Sequence, residues 1–548
     1  MPRSLRAALT DGDQQRAEAE LAALQDSADA AANRTSGLTW RLAEHLPLLG
    51  DDATAVAQIS TAMADLGHQG LAPIVDVAGS LDAGSFAPRD GRLPLAKIKG
   101  LADPVTQASE AFTTADERLG VVDTEHLLAA VKTRYDDVAG QIGDASTTLQ
   151  SAERAVQVLP SMLGADGVRR YLLLFQNNAE IRATGGMPGA MSVIDTNAGQ
   201  ISMGEQITAG DFAELDHPVL PLTKEERALF GPQLGTYAQD VNFTPDFART
   251  AELIAAHWAR REAGTPQAAH PLDGVLSMDP VALSYLLEAT GPLEIDGVTL
   301  TADNAVQELL NGTYLRLSDP ADQDAFFRDV AREVFEKAVS GAGDPATLLR
   351  ALGRGADEHR LLVHSFDSAE QGVLAGTAVS GDFPADPSAD PDVAVAFNDA
   401  TATKMSYYLD YDVDVTARSC TDGAQELTGH LQMVSNAPKD AADLPESVTG
   451  PGLYGVPRGA QIVVADLYGP IDGTVTDVRL DGKRAGQTMR QFQGRRVAQV
   501  PLYFESGQSI ELTWTMTTGA DQTGSTDVWV TPGVQPENES SLAPSACR

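Results

Sequence analysis

Cysteine is nearly absent: 548 residues carry two, Cys420 and Cys547, both in the last quarter of the chain. Neither has metal-ligand spacing and no CxxC occurs, so nothing points to a thiolate metal site. A disulfide closing one C-terminal domain is the simplest use of the pair, and such a bond places that domain outside the cytoplasm. Long apolar runs are missing too. No stretch approaches the ~20 residues that span a bilayer, and the opening "MPRSLRAALTDGD" is no signal peptide. With the cysteine pair, this predicts a hydrophobic anchoring helix encoded just ahead of the first residue. Basic residues are also scarce, 39 against 77 acidic ones, for a net charge of −38. That excludes nucleic acid as an expected partner, because counterion release needs a basic face. Against so acidic a background, any local cluster of arginines stands out.

Catalytic signatures are lacking as well. There is no Walker A loop, HExxH, GxSxG or GxGxxG, and none of the nine histidines lies four residues from another. "DYDVDV" (410–415) superficially resembles a calcium-binding run, but alternation along a strand puts its aspartates on one solvated face.

What is present is ordinary folded composition, 43% hydrophobic and 21% charged, in a chain long enough for several domains. Residues 4–42 are Ala-rich with helical spacing, "PLLGDD" (47–52) punctuates them, and the pattern resumes to about residue 80. After the loop "GSFAPRDGRLP", residues 96–160 again predict amphipathic helix. Residues 1–162 therefore predict an α-helical bundle or stalk acting as a spacer. The period then changes. "YLLLF" predicts a buried strand and "GAMSVIDTNAGQISMGEQ" two strands about an Asn-Ala-Gly turn. "TPDFARTAELIAAHWARREAG" predicts a helix capped by Thr244. "LDGVLSMD" predicts a strand and "PVALSYLLEATG" a helix with Pro280 in its first turn and Gly291 past its end. Two more helices, "TADNAVQELLNGTY" and "DPADQDAFFRDVAREVFEKAVS", and a strand, "HRLLVHSFD", complete an α/β domain over 163–375. "FPADPSADPD" then reads as a linker, and seven or so short strands from "MSYYLDYDVDVTARS" onward predict a β-sandwich over 376–548.

One stretch is unusual. "RRYLLLFQNNAEIRATGG" (169–186) delivers Asn177, Asn178, Glu180, Arg182, Thr184, Gly185 and Gly186 at the end of a buried strand. Three glycines in "ATGGMPGA" would let a ligand approach the backbone closely. Downstream, "DVNFTPDFAR" supplies Asn242, Asp246 and Arg249 near a helix start, which suits an anion. "TYLRLSDPADQDAFFRDVAR" supplies Tyr314, Arg316, Arg328 and Arg332, and converged arginines suit a diphosphate. The expected pocket unites 177–186 with Arg316 and with Asn242 or Arg249. Glu180, Arg182 and Asp246 are its catalytic candidates.

"YLLLFQNNAEIRATGG", "LDGVLSMDPVALSYLLEATGPLEI" and "LTADNAVQELLNGTYLRLSD" resemble an actinobacterial family, domain of unknown function 4012, over nearly the whole chain. More distantly, 168–340 resembles the LytR-CpsA-Psr glycopolymer transferases. The likeness lies in Arg182-Ala-Thr184, Asp240-Val-Asn242, Asp273 through Asp279 to Gly291, and Tyr314-Leu-Arg316 followed by Asp324, Arg328 and Arg332. Those transferases also carry a Ser-Ile-Pro-Arg-Asp motif for diphosphate and magnesium, where this chain has "GEQITAGDF" with Asp211 and no arginine. The resemblance implies an extracytoplasmic, membrane-anchored envelope protein handling wall polysaccharide or a polyprenyl-diphosphate-linked glycan, with magnesium as the one cofactor it brings in. Transfer, with Glu180 or Asp246 as base, is one expectation. The others are glycoside hydrolysis by Glu180 with Asp240 or Asp246, and a non-catalytic glycan-binding scaffold.

Overall fold

The computed structural model describes residues 4, 5, 8, 13–46, 49–80, 88, 91–124, 126–341, 343–383, 388, 390–452, 455–535 and 540–547. Helices come first and sheets dominate the C-terminal half. Two compact units emerge: Met1–Val168 with the hairpin tip Thr196–Gln200, and Arg169–Asp195 with Ile201–Arg548.

The first unit is built on helices α1 (Gln14–Thr35), α2 (Gly50–Asp65), α3 (Ala102–Gly120) and α4 (Ala129–Met162). Small residues at helical spacing let them approach closely: Ala17, Leu21 and Ala28 on α1, and Ala108, Phe112, Ala115 and Leu119 on α3, are buried. The expected helix over 96–160 is interrupted after Gly120. There Leu128 starts α4 with its N–H donating to Asp52 (2.9 Å). The start of the predicted helix and most of the loop "GSFAPRDGRLP" lie outside the described residues.

In the second unit, strands β1 (Arg169–Arg182), β2 (Gly185–Asn197), β3 (Gln200–Thr208), β4 (Gly274–Met278) and β5 (Leu361–Ser365) form one sheet, in the order β3-β2-β1-β4-β5. β4 runs parallel to β1 and antiparallel to β5. Helices α5 (Phe247–Glu262), α6 (Pro280–Thr290), α7 (Pro320–Ser340) and α8 (Pro345–Asp357) accompany it. The turn between β2 and β3 is the expected one, with Ala198 and Gly199 both at positive φ. Pro280 opens α6 and Gly291, at φ +78°, follows its end. Asp246, not Thr244, caps α5, accepting the Arg249 N–H at 3.3 Å. A π-helical turn, Glu308–Gly312, interrupts the helix expected at 301–314. α8 was not anticipated from the sequence.

Two further sheets follow. One has the order β11 (Lys483–Arg484), β10 (Thr474–Leu480), β14 (Ser509–Thr517), β8 (Ala424–Ser435), β7 (Leu409–Thr421). The other has the order β12 (Thr488–Phe492), β13 (Arg495–Phe504), β9 (Gln461–Ile471), β6 (Asp392–Asp399), β15 (Thr526–Val530), β16 (Ser541–Ala543). One hydrophobic cluster draws on both sheets, from Phe397 and Leu467 to Leu431 and Trp514, and takes in Ile181 of β1. β6 is not among the strands expected from the sequence, and its start adjoins the segment "FPADPSADPD"; residues 384–387 and 389 of that segment lie outside the described residues. Asp410, Asp412 and Asp414 are exposed on one face of β7, as strand alternation requires. Cys420 and Cys547 form a disulfide, joining β7 to the last residues. Among the described residues no helix is long and apolar enough to cross a membrane.

Candidate functional site

β1 does not stop at Phe175. It continues through the whole amide and charge cluster to Arg182, and alternation sends Gln176, Asn178, Glu180 and Arg182 to one side. Every one of these four is buried, so each needs partners. Gln176 donates to Ser277 and accepts from Gly186 N–H (2.9 Å), Thr184 (3.2 Å) and Asn242 (3.3 Å). Asn242 also donates to the Gly186 carbonyl at 2.8 Å. Asn178 donates to Asp279 (2.9 Å), the N-cap of α6, which in turn pairs with buried Arg360 (2.8 Å).

Arg182 closes the strand in a buried ion cluster. Its guanidinium is 3.1 Å from Glu180 and 3.5 Å from Asp240, and lies over the Phe243 ring. Lys404, just before β7, reaches Glu180 at 3.6 Å. The fully buried carboxyl of Asp399 caps the same turn through Thr401 and Thr403. Three acids thus face two bases, and the charge does not balance. Burial pushes Asp240 up to about 6 against the pull of Arg182, and pushes Asp399 up to about 6 likewise. Burial opposes the charge on Lys404, but Glu180 and Tyr314 outweigh it and raise its pKa.

Beside this cluster lies a cavity of about 220 Å³ between the middle of β1 and β2, the end of β3 and helices α6 and α7. Phe175, Met187, Met191, Met278, Leu283, Leu309, Leu310 and Phe327 make its walls largely apolar. Polar groups enter at a few points: Gln176, Asn177, Gln206, Gln323, Tyr314, Asp324, Arg328 and Lys404. Asn177 donates to the Tyr314 hydroxyl at 2.7 Å, and Lys404 Nζ stands 5.0 Å from the centre of the Tyr314 ring. Those contacts fix the ring and the ammonium together. Burial raises the Asp324 pKa, with Arg328 pulling the other way.

The structure therefore brings Asn177, Tyr314, Asp324 and Arg328 to one cavity, and leaves the other expected residues elsewhere. Arg182 is locked to acids behind the wall. Arg249 is clamped by Glu226 (2.7 Å), Glu252 (2.8 Å) and the Pro221 carbonyl (2.8 Å). Arg316 pairs with Glu308 at 2.9 Å and lies over Phe326, and Arg332 pairs with Asp329. Asp246 is a helix cap, also receiving a 3.4 Å contact from Gln493, and burial raises its pKa. Gly186 serves the fold, not a ligand: a Cβ there would sit 2.2 Å from the carbonyl carbon of Asn177. Gly185 holds φ +130° at the corner between β1 and β2. Sequence reasoning missed Gln176 and Lys404. A glutamine inside a strand and a lysine in "NDATATKMS" carry no spacing signal that would single them out.

Magnesium finds no matching donor set. Among the described residues no three carboxylate, histidine or cysteine side chains gather to hold a metal. Of the two cavity acids, Asp279 is already committed to Arg360, Asn178 and the Ala282 N–H.

Helices followed by three main sheets, with a cavity beside the first, define a mixed α and β protein. Residues 166–314 match the family described as protein of unknown function, DUF4012. That match runs from just before β1 to Tyr314, so it includes Asn177 and stops short of Arg328 and Lys404. A search of curated proteins finds no match.

Proposed function

We propose that this protein binds an amphipathic, lipid-linked glycan of the cell envelope, holding the anionic junction between lipid and sugar in the cavity beside β1. The observation that carries this reading is the pairing of apolar walls with two cations, Lys404 and Arg328, at one small cavity. At about 220 Å³ it is smaller than the about 300–1,000 Å³ usual for a whole drug-sized ligand, which suits one segment of a longer molecule. The disulfide supports an oxidising, extracytoplasmic location. The LytR-CpsA-Psr resemblance over 168–340 and a β-sandwich reading of the two C-terminal sheets are consistent with it.

Binding is favoured over turnover because the expected catalytic groups are otherwise engaged: Glu180 by Arg182 and Lys404, Asp246 as a helix cap. One observation favours a transferase as second reading. Asp324 lies in the cavity with a raised pKa beside Arg328, as a general acid or base would.

Calorimetric titration with farnesyl diphosphate, with farnesol as the uncharged control, tests the proposal. The diphosphate should bind, and Arg328→Ala should weaken it by about 1.5–3 kcal/mol, the size of a charge-assisted hydrogen bond. Equal affinity for farnesol and its diphosphate, or an unchanged Arg328→Ala, would overturn it.

A further inference from the structure

A second and larger cavity, about 750 Å³, opens on the outer face of the six-stranded sheet. Alternation explains that face. In β6 and β15 the valines at 393, 395, 528 and 530 enter the core between the two sheets, so Asp392, Ala394, Asp527 and Trp529 point the other way. The parallel register sets Asp527 beside Asp392 and Trp529 beside Ala394. Trp529 packs against the cluster that holds Phe383 and Ala394, yet it is only partly buried and lines the cavity.

The charges of this cavity differ from those of the first. Three carboxylates line it: Asp382, Asp392 and Asp527. Its guanidinium, Arg495, is already engaged: it donates to the carbonyls of Asp392 (2.6 Å) and Gly469 (3.2 Å) and lies over the Phe383 ring. Burial lowers the pKa of His359, which disfavours a charged ring there. An anion is disfavoured here. Carboxylates accept hydrogen bonds from hydroxyls, and a flat indole face accepts the C–H face of a sugar ring. The volume falls within the about 300–1,000 Å³ range of ligand sites.

We infer that this cavity is a binding site for an uncharged oligosaccharide, stacked on Trp529 with its hydroxyls donating to Asp527 and Asp382. It is separate from the cavity at Lys404 and stands whether or not that cavity takes a lipid-linked ligand.

The test titrates the full chain with short linear arabinan, galactan, mannan and glucan oligosaccharides, following tryptophan fluorescence and heat. Oligogalacturonate and inorganic pyrophosphate serve as anionic controls. At least one neutral oligosaccharide should bind at millimolar concentration or below and change the fluorescence. Trp529→Ala should weaken it by roughly tenfold or more. Asp527→Asn, at an exposed position that leaves the core untouched, should also weaken it with the melting temperature unchanged. Arg328→Ala should leave it as it is, which separates the two sites. No binding of any neutral oligosaccharide, tighter binding of the anionic controls, or binding indifferent to both Trp529→Ala and Asp527→Asn would overturn the inference.

Discussion

Asp466 shows how much one buried proton can weigh. It sits wholly buried on β9, accepting from Gln499 at 3.0 Å, and burial pushes its pKa up to about 7. Its unfolded value is near 3.9, so the folded state binds the extra proton. The stability this contributes is full below about pH 4 and is lost as pH rises through about 7. Wild type should lose about 2–3 kcal/mol relative to Asp466→Asn between pH 5 and 8. Melting curves of both proteins at the two pH values check this: the variant should gain on wild type as pH rises, and parallel curves would refute it. Arg182 is a second case. Removing one partner of a buried ion pair leaves a stranded charge, so Arg182→Ala should destabilise by about 3–5 kcal/mol. Urea denaturation measures it. A loss below about 1 kcal/mol, the size of a surface pair, would mean that the cluster is solvated.

At the level of elements, the corner between β1 and β2 depends on backbone contact. A Cβ at Gly186 would meet Asn177 and Asn178 main-chain atoms within 2.4 Å, which no rotamer change can relieve. Gly186→Ala should therefore cost about 3 kcal/mol or more, while Gly210→Ala, whose Cβ would meet only Thr208 Oγ1 at 3.5 Å, should be mild. Comparing the two melting temperatures tests whether the glycines serve packing. The Cys420–Cys547 bond ties β7 to the end of the chain across 127 residues. In the chain-entropy account a loop that long contributes about 4–5 kcal/mol. The Cys420→Ser, Cys547→Ser double variant should unfold at distinctly lower urea, and two free thiols in the denatured, unreduced wild type would remove the effect altogether.

For the whole molecule, the consequential feature is how closely residues 169–375 are joined to the strands that follow. Ala183 donates to Asn398 (3.0 Å) and accepts from Thr531 (2.9 Å), and Arg360 donates to the Gly533 carbonyl (2.8 Å). Ile181 lies in the core of the two C-terminal sheets, and Lys404 and Asp399 complete the ion cluster on Arg182. A fragment of residues 163–375 alone should thus lack a cooperative melting transition, because it would expose Ile181 and strand the Glu180 and Arg182 charges. Residues 163–548 should melt cooperatively. A sharp transition in the shorter fragment would show that these contacts are incidental.

Local pattern was enough to place many elements. Period and capping residues alone located β2 and β3 about their turn, Pro280 and Gly291 around α6, α7 after Asp319, and the solvated aspartates of β7. The cluster at 177–186 was legible as a set of groups needing partners. Which partners it found was not, because they come from Asp240, Asp279, Asn398 and Lys404, up to 224 residues away from Glu180. Charge pairing is set by three-dimensional distance, so an arginine such as Arg182 or Arg249 reads the same in sequence whether it meets a ligand or a neighbouring acid. Strand alternation reveals that two faces exist but not what covers each. Only the folding of β6 beside β15 decided that Trp529 would face a cavity, and only the approach of Lys404 to Glu180 and Tyr314 that it would line another.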